Sequence, residues 1–261
     1  MSELLLSTNG LTKQYGHHKA VDKVNLHIKK GAIYGFIGRN GAGKTTCLKM
    51  ISGLARPTAG EIEMFGCKGK ELERIRSRVG CLIEAPGLYG NMNAYTNLKI
   101  KCELFGIRKK GYIEDILETV GLEGVGKKKT KHFSLGMKQR LGIGLALVGE
   151  PDLLVLDEPI NGLDPQGIAE VRDTIQRLRD ERNMTILISS HILEELSKIA
   201  TDYGIIHNGS LLQELTSEEL MKRCSERIEI ELIHPEQAVP ILDRMGSVSY
   251  THLRAHETLA N

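Results

Sequence analysis

The chain has 261 residues, 41% hydrophobic and 26% charged, the balance of an ordinary globular protein long enough to bury at least one good core. A net charge of +2 does not predict bulk binding to nucleic acid, so any basic site has to be local. No apolar stretch is long enough to span a bilayer, and Met1-Ser2-Glu3 opens neither a signal peptide nor a lipidation motif. The five cysteines never form a CxxC pair, so a reduced, cytosolic chain without structural zinc is expected.

Taken in chain order, Val24, Leu26 and Ile28 alternate with polar residues and predict a half-buried strand. An apolar run, 32–37, then leads into Gly38-Arg39-Asn40-Gly41-Ala42-Gly43-Lys44-Thr45-Thr46 and a helix-compatible run, 47–51. Further strands are predicted at 61–65, 79–83, 153–157 and 185–189, the last two apolar enough to be parallel strands covered on both faces. Between them, 94–105, 112–120 and 135–148 read as helices, so a parallel core is interrupted by a helical insertion. Asn208-Gly209 within 205–211 predicts a terminal hairpin. After Leu215 the pattern restarts, with a strand-like 227–233 and a helix-like 236–245, as at the start of a small C-terminal extension.

The order strand, glycine-rich loop, helix is that of a phosphate-binding loop. Gly38, Gly41 and Gly43 let backbone N–H groups, including those of Asn40 and Thr46, curl around phosphate oxygens, and the helix N-terminus adds positive potential. Lys44 would reach the β- and γ-phosphates and the Thr45 hydroxyl would ligate magnesium. The apolar strand 153–157 ends in Asp157-Glu158. A carboxylate so placed holds the metal, directly or through water, and the next one is positioned to polarise a water for attack on the γ-phosphate. Phe133-Ser134-Leu135-Gly136-Met137-Lys138-Gln139-Arg140 supplies a second anion-seeking surface: a Ser hydroxyl, a Gly N–H and a helix N-terminus. Ordinary helix capping by Ser134 would look the same. If both surfaces bind phosphate, head-to-tail pairing of two subunits satisfies them, each nucleotide lying between one chain's loop and the other chain's Ser134 and Gly136.

With these motifs in this order, residues 5–215 resemble the ATP-binding subunit of an ABC transporter. The resemblance implies an α/β fold: a P-loop NTPase (RecA-like) core, 1–85 and 149–215, with an antiparallel β subdomain and an inserted α-helical subdomain, 86–148. The C-terminal extension would then run over 216–247. It also implies roles for single residues. Tyr15 matches the aromatic that stacks on adenine, and Asp164, in Asn161-Gly162-Leu163-Asp164, matches the loop that crosses the dimer interface. His191 matches the switch histidine that contacts the γ-phosphate. Two departures from the family pattern stand out. Glu84 replaces a Gln that approaches magnesium, and Leu135 and Met137 replace the commoner Gly and Gln of the signature. Together with Gly87-Leu88-Tyr89 and Asn97-Leu98, they resemble the subgroup associated with bacitracin and lantibiotic resistance or self-immunity.

The expected activity is therefore ATP hydrolysis with Mg2+, by a protein on the cytoplasmic face of the membrane. It would be paired with a second ATP-binding subunit (the same chain or a relative) and with an integral-membrane permease. Nucleic acid is not an expected partner. The competing class is an ABC-type ATPase that acts on ribosomes or DNA, but such chains carry two cassettes or a long coiled coil. A small-molecule P-loop kinase would have no use for the Ser134–Arg140 segment. Finally, Ser249-Tyr250-Thr251-His252-Leu253-Arg254-Ala255-His256-Glu257-Thr258 resembles a translated transposon-end sequencing adaptor, so 248–261 is expected to be a non-native tail.

Overall fold

The computed structural model describes residues 3–225. The expected elements at 227–233 and 236–245 and the tail from Val248 lie outside the described residues. One compact unit runs to Ser217; beyond it the described residues form a helix, Ser217–Ser225. In chain order the strands of the first unit are β1 (Leu4–Tyr15), β2 (His18–Val24), β3 (His27–Lys29), β4 (Ile33–Ile37), β5 (Ala59–Met64), β6 (Cys67–Lys68), β7 (Val79–Leu82), β8 (Leu153–Asp157), β9 (Thr185–Ser190), β10 (Asp202–His207) and β11 (Ser210–Thr216). Its helices are α1 (Lys44–Ile51), α2 (Ala94–Leu104), α3 (Tyr112–Thr119), α4 (Leu135–Leu147), α5 (Pro165–Arg182) and α6 (Leu193–Leu196).

The strands form two sheets. The larger has the order β11-β10-β4-β9-β8-β7, parallel from β10 to β7, with β11 antiparallel at its edge. The connection that follows β9 crosses over β4 to reach β10, so the direction of winding reverses at β4. Ligands of open α/β sheets bind at the carboxyl ends of strands at such a switch point. The five residues of β8 and the six of β9 are all buried, as strands covered on both faces require. The smaller sheet is antiparallel, β2-β1-β5-β6, with β3 also paired to β1. A shared core joins the two sheets. Cys47, Leu48, Met50 and Ile51 of α1 pack with Leu6, Leu11, Val24 and Met64 from one sheet and Phe36, Val155 and Leu187 from the other.

Most predicted elements are present within a residue or two: 153–157 is β8, the hairpin is β10–β11, and the three helical patterns are α2, α3 and α4. The predicted strand through Val24, Leu26 and Ile28 is instead two strands, β2 and β3, parted at Asn25–Leu26. All three apolar side chains are nonetheless fully buried, so the period of two survives the break and conceals it. The gap is filled by a side chain. The buried hydroxyl of Thr8 donates to Val24 O (2.9 Å) and accepts from Leu26 N (2.8 Å), replacing ladder bonds.

Around α2 the subgroup-like residues meet one another. Buried Asn97 accepts from Tyr89 N at 2.8 Å and donates to Asn93 O at 2.9 Å, folding the 87–92 loop back on the helix. Asn93 caps α2 by accepting from Thr96 N at 2.8 Å.

Candidate nucleotide site

The glycine-rich loop leaves β4 and closes onto α1, whose first-turn N–H groups have no intrahelical acceptors. Two of its glycines are required by close approach. A Cβ on Gly38 would lie 2.5 Å from Ile206 O, and one on Gly43, which has φ +106°, would lie 2.5 Å from Ala20 O. The loop is thus clamped between the β10 end and the smaller sheet, on a backbone that cannot retreat.

Lys44, buried at the start of α1, donates to Gly38 O at 2.6 Å and to Arg39 O at 3.3 Å. Its Nζ also stands 3.0 Å from Glu158 Oε1. That pair is a charge contact and not a hydrogen bond: Oε1 is buried and meets no donor with suitable alignment. The other Glu158 oxygen lies 2.8 Å from His191 Nδ1. Glu158 therefore bridges the loop lysine and the histidine at the end of β9. Next to it, Asp157 Oδ2 accepts from the Thr45 hydroxyl at 2.8 Å, and Oδ1 accepts from Ser189 Oγ at 2.6 Å.

Neighbouring strand ends produce this cluster, since Asp157 pairs with Ser189 in the β8–β9 register and Ser190 with Ile37 in the β4–β9 register. Glu158 adopts a left-handed φ of +48°, held by bonds from its N–H to Ser189 O (3.2 Å) and Ser189 Oγ (3.0 Å). For a non-glycine residue this conformation costs about 1–3 kcal/mol and persists where the surroundings over-determine it. The strain turns the Glu158 carboxylate back toward Lys44 while Asp157 faces Thr45.

The oxygen donor set of Thr45, Asp157 and Ser189 suits a hard divalent cation such as magnesium. The buried, unbonded Glu158 Oε1 is an acceptor suited to a water. A cleft of about 630 Å³ opens beside the loop, lined by Arg39, Asn40, Ala42, His191, His207 and Asn208.

The remaining expected site residues lie around this centre. Tyr15 is 52% exposed at the end of β1, and Lys13 Nζ sits 5.0 Å from its ring centroid. Glu84, with φ +64°, pairs with Lys49 of α1 at 2.5 Å, and the contact raises the lysine pKa. Ser134 caps α4 by accepting from Met137 N at 3.2 Å, and Gly136 packs against Gly167. Neither is among the residues lining the cleft. Asp164 occupies the N-cap position of α5 with Pro165 behind it, yet its side chain makes no capping bond and stays exposed.

Ser189, Lys49 and His207 are not among the site residues expected from the sequence. Ser189 was legible only as part of the run before His191, and Lys49 only through helical spacing from Thr45. His207 is exposed, but it is also a wall of the cleft.

A phosphate loop, a strand-end Asp-Glu pair and a doubly covered parallel sheet together define a P-loop nucleotide-binding protein. Residues 21–161 match the sequence model of the family described as ABC transporter. Over 241 residues the chain is 49% identical to the bacitracin transport ATP-binding protein BcrA of Bacillus licheniformis, covering 92% of this chain and 79% of that one. It is 44% identical over 211 residues to the lantibiotic transport ATP-binding protein SrtF of Streptococcus pyogenes, covering 80% and 90% respectively. The solved structure of the ADP conformation of MJ1267, an ATP-binding cassette of an ABC transporter, aligns with a TM-score of 0.76 at 25% identity, over 85% of this chain and 94% of that chain. The chain belongs to the ABC transporter family, as its ATP-binding, ATP-hydrolysing component.

Proposed function

We propose that this ATPase drives a separate membrane subunit that expels a peptide antibiotic of the bacitracin or lantibiotic type, working as a pair of chains with two Mg-ATP. The contact of Glu158 with both Lys44 and His191 carries the catalytic part of this reading. In it, Lys44 and the α1 N-terminus bind the β- and γ-phosphates. Glu158 holds the proton-accepting carboxylate for the attacking water, and His191 orients that carboxylate and contacts the γ-phosphate. Thr45 and Asp157 would hold Mg2+, with Glu84 as a further candidate; when bound, the metal would neutralise charge on the phosphates. Tyr15 stacks on adenine. Ser134 and Gly136 serve the nucleotide of the other chain, where Asp164 crosses the interface, so phosphate binding closes the dimer.

The membrane partner is supported by the surface. A groove of about 390 Å³ between β7 and the helical segment is lined by Leu54, Ile83, Pro86, Tyr89, Leu104 and Phe105, among others. Of these, Leu54 is 63% and Leu104 80% exposed. An apolar rim of this kind suits a partner segment. Among the described residues no helix is long and apolar enough to cross a membrane, so the transport path belongs to that partner. The helical segment, 86–148, would pass movement of the ATP site to it.

The peptide-antibiotic reading draws support from the two curated relatives, whose names describe bacitracin and lantibiotic transport. Deletion of the gene together with that of its membrane subunit should lower the bacitracin or lantibiotic concentration that halts growth, and restoring both should recover it. Sensitivity unchanged for both antibiotics would overturn this substrate class. ATPase activity stimulated by nucleic acid, without membrane association, would favour the ribosomal or DNA alternative. For Glu84, replacement by Gln should shift the Mg2+ dependence of ATP hydrolysis, because the carboxylate held by Lys49 loses its charge. Identical Mg2+ titrations would remove Glu84 from the metal's surroundings.

A further inference from the structure

Arg140 lies on α4 just under two turns after Ser134, and Glu170 lies on α5 the same distance after Asp164. The two helices touch near their starts, where a Cβ on Gly136 would stand 3.4 Å from the Gly167 Cα. One step further along, Arg140 NH2 reaches Glu170 Oε2 at 2.9 Å, with the arginine side chain only 11% exposed. The other Glu170 oxygen accepts from Gln166 Nε2 at 2.9 Å, so the carboxylate is held in one orientation. Arg140 NH1 meanwhile donates to Val120 O at 3.0 Å and Gly121 O at 2.6 Å, just past the carboxyl end of α3. There the last carbonyls of a helix lack partners and carry its negative pole. Arg177 and Arg182 of α5 reach the same end, donating to Thr119 O at 2.9 Å and Thr119 Oγ1 at 2.7 Å.

We infer that Arg140 and Glu170 are positioning residues that fix the starts of α4 and α5 relative to each other, and so set the surface that completes a second chain's nucleotide site. The inference rests on the two-chain reading above. A planar guanidinium does what an ammonium cannot: one terminal nitrogen serves α3 and the other serves α5, in fixed relative directions. Its Nε is buried without an acceptor, so the side chain is aimed by these terminal bonds and not by full satisfaction of its donors. Ser134 and Asp164 are both exposed, with Asp164 making no capping bond. The two helix starts are thus set in register by contacts lying behind them, leaving the Asp164 carboxylate and the Ser134 O–H, whose oxygen also caps α4, for a partner.

The test uses the full chain carrying Glu158→Gln, which should pair on binding Mg-ATP. Adding Glu170→Gln removes the bridge but leaves the bonds of Arg140 to α3. ATP-dependent association, followed by sedimentation, should weaken about tenfold or more, as expected when one partner of a largely buried ion pair loses its charge. Binding of a fluorescent ATP analogue to the monomer and the melting temperature should hold. Arg140→Lys, which keeps charge but not the fork, should lie between. Unchanged association in Glu170→Gln, or parallel losses in association, monomer binding and melting temperature, would overturn the inference. Ser134→Ala separates the two ideas. If it abolishes pairing while Glu170→Gln leaves pairing intact, only the positioning role is wrong; if it pairs as tightly as its parent, the two-chain site falls and this inference with it.

Discussion

Glu158 concentrates the chemistry of the candidate site in one carboxylate. One oxygen faces Lys44 and the other faces His191, at 3.0 Å and 2.8 Å. Burying a charge pair this way adds little net stability, because desolvation offsets the Coulomb attraction, so its retention here fits function better than folding. Replacing Glu158 by Gln should leave ATP binding intact and lower hydrolysis by about two to four orders of magnitude, as loss of a general base does. Single-turnover hydrolysis alongside equilibrium nucleotide binding would measure both, and normal turnover would exclude the catalytic role. Lys44→Ala should act the other way round, weakening nucleotide binding itself. The positive φ of Glu158 was not legible in the sequence. It follows from a bond to Ser189, which lies on another strand.

Among the elements, the parallel strands read cleanly because each is a short apolar run whose length and composition are local properties. The β2–β3 break did not, because burial alternates identically on either side of it. What supports the break is the Thr8 hydroxyl on β1, buried and bonded to both Val24 O and Leu26 N. Thr8→Val keeps the shape but strands one donor and one acceptor, and should destabilise the protein by about 2 kcal/mol. A lowered urea midpoint at unchanged slope would show it; a midpoint equal to the parent's would mean water replaces the hydroxyl. The long strand β1 and the helix α5 were likewise not predicted. The 12 residues of β1 face three strand partners, which blurs any single period, and α5 announced itself only by Asp164-Pro165 at its start.

For the whole molecule, the proposed function gives partners to two surfaces: the helix starts that carry Ser134 and Asp164, and the apolar groove beside α2. Leu104, the most exposed large apolar residue on the groove, has little packing of its own to lose. Leu104→Asp should therefore lower the stimulation of ATPase by the reconstituted membrane subunit several-fold, about what burying a charge in an apolar contact costs. The ratio of stimulated to unstimulated rate is the measurement, and an unchanged ratio would place the docking surface elsewhere.

The local motifs were legible in the chain alone, because each is a contiguous run whose meaning depends on local geometry: glycines before a helix, carboxylates at the end of an apolar strand, a Ser and a Gly at a helix start. The tertiary structure decided how those motifs meet. It joined Asp157 to Thr45 and Glu158 to Lys44 and His191 through the β4-β9-β8 order, paired Glu84 with Lys49, and locked α4 to α5 through Arg140 and Glu170. Contacts between residues far apart in the chain are set by strand order and helix packing, and neither is written in any local window of the sequence.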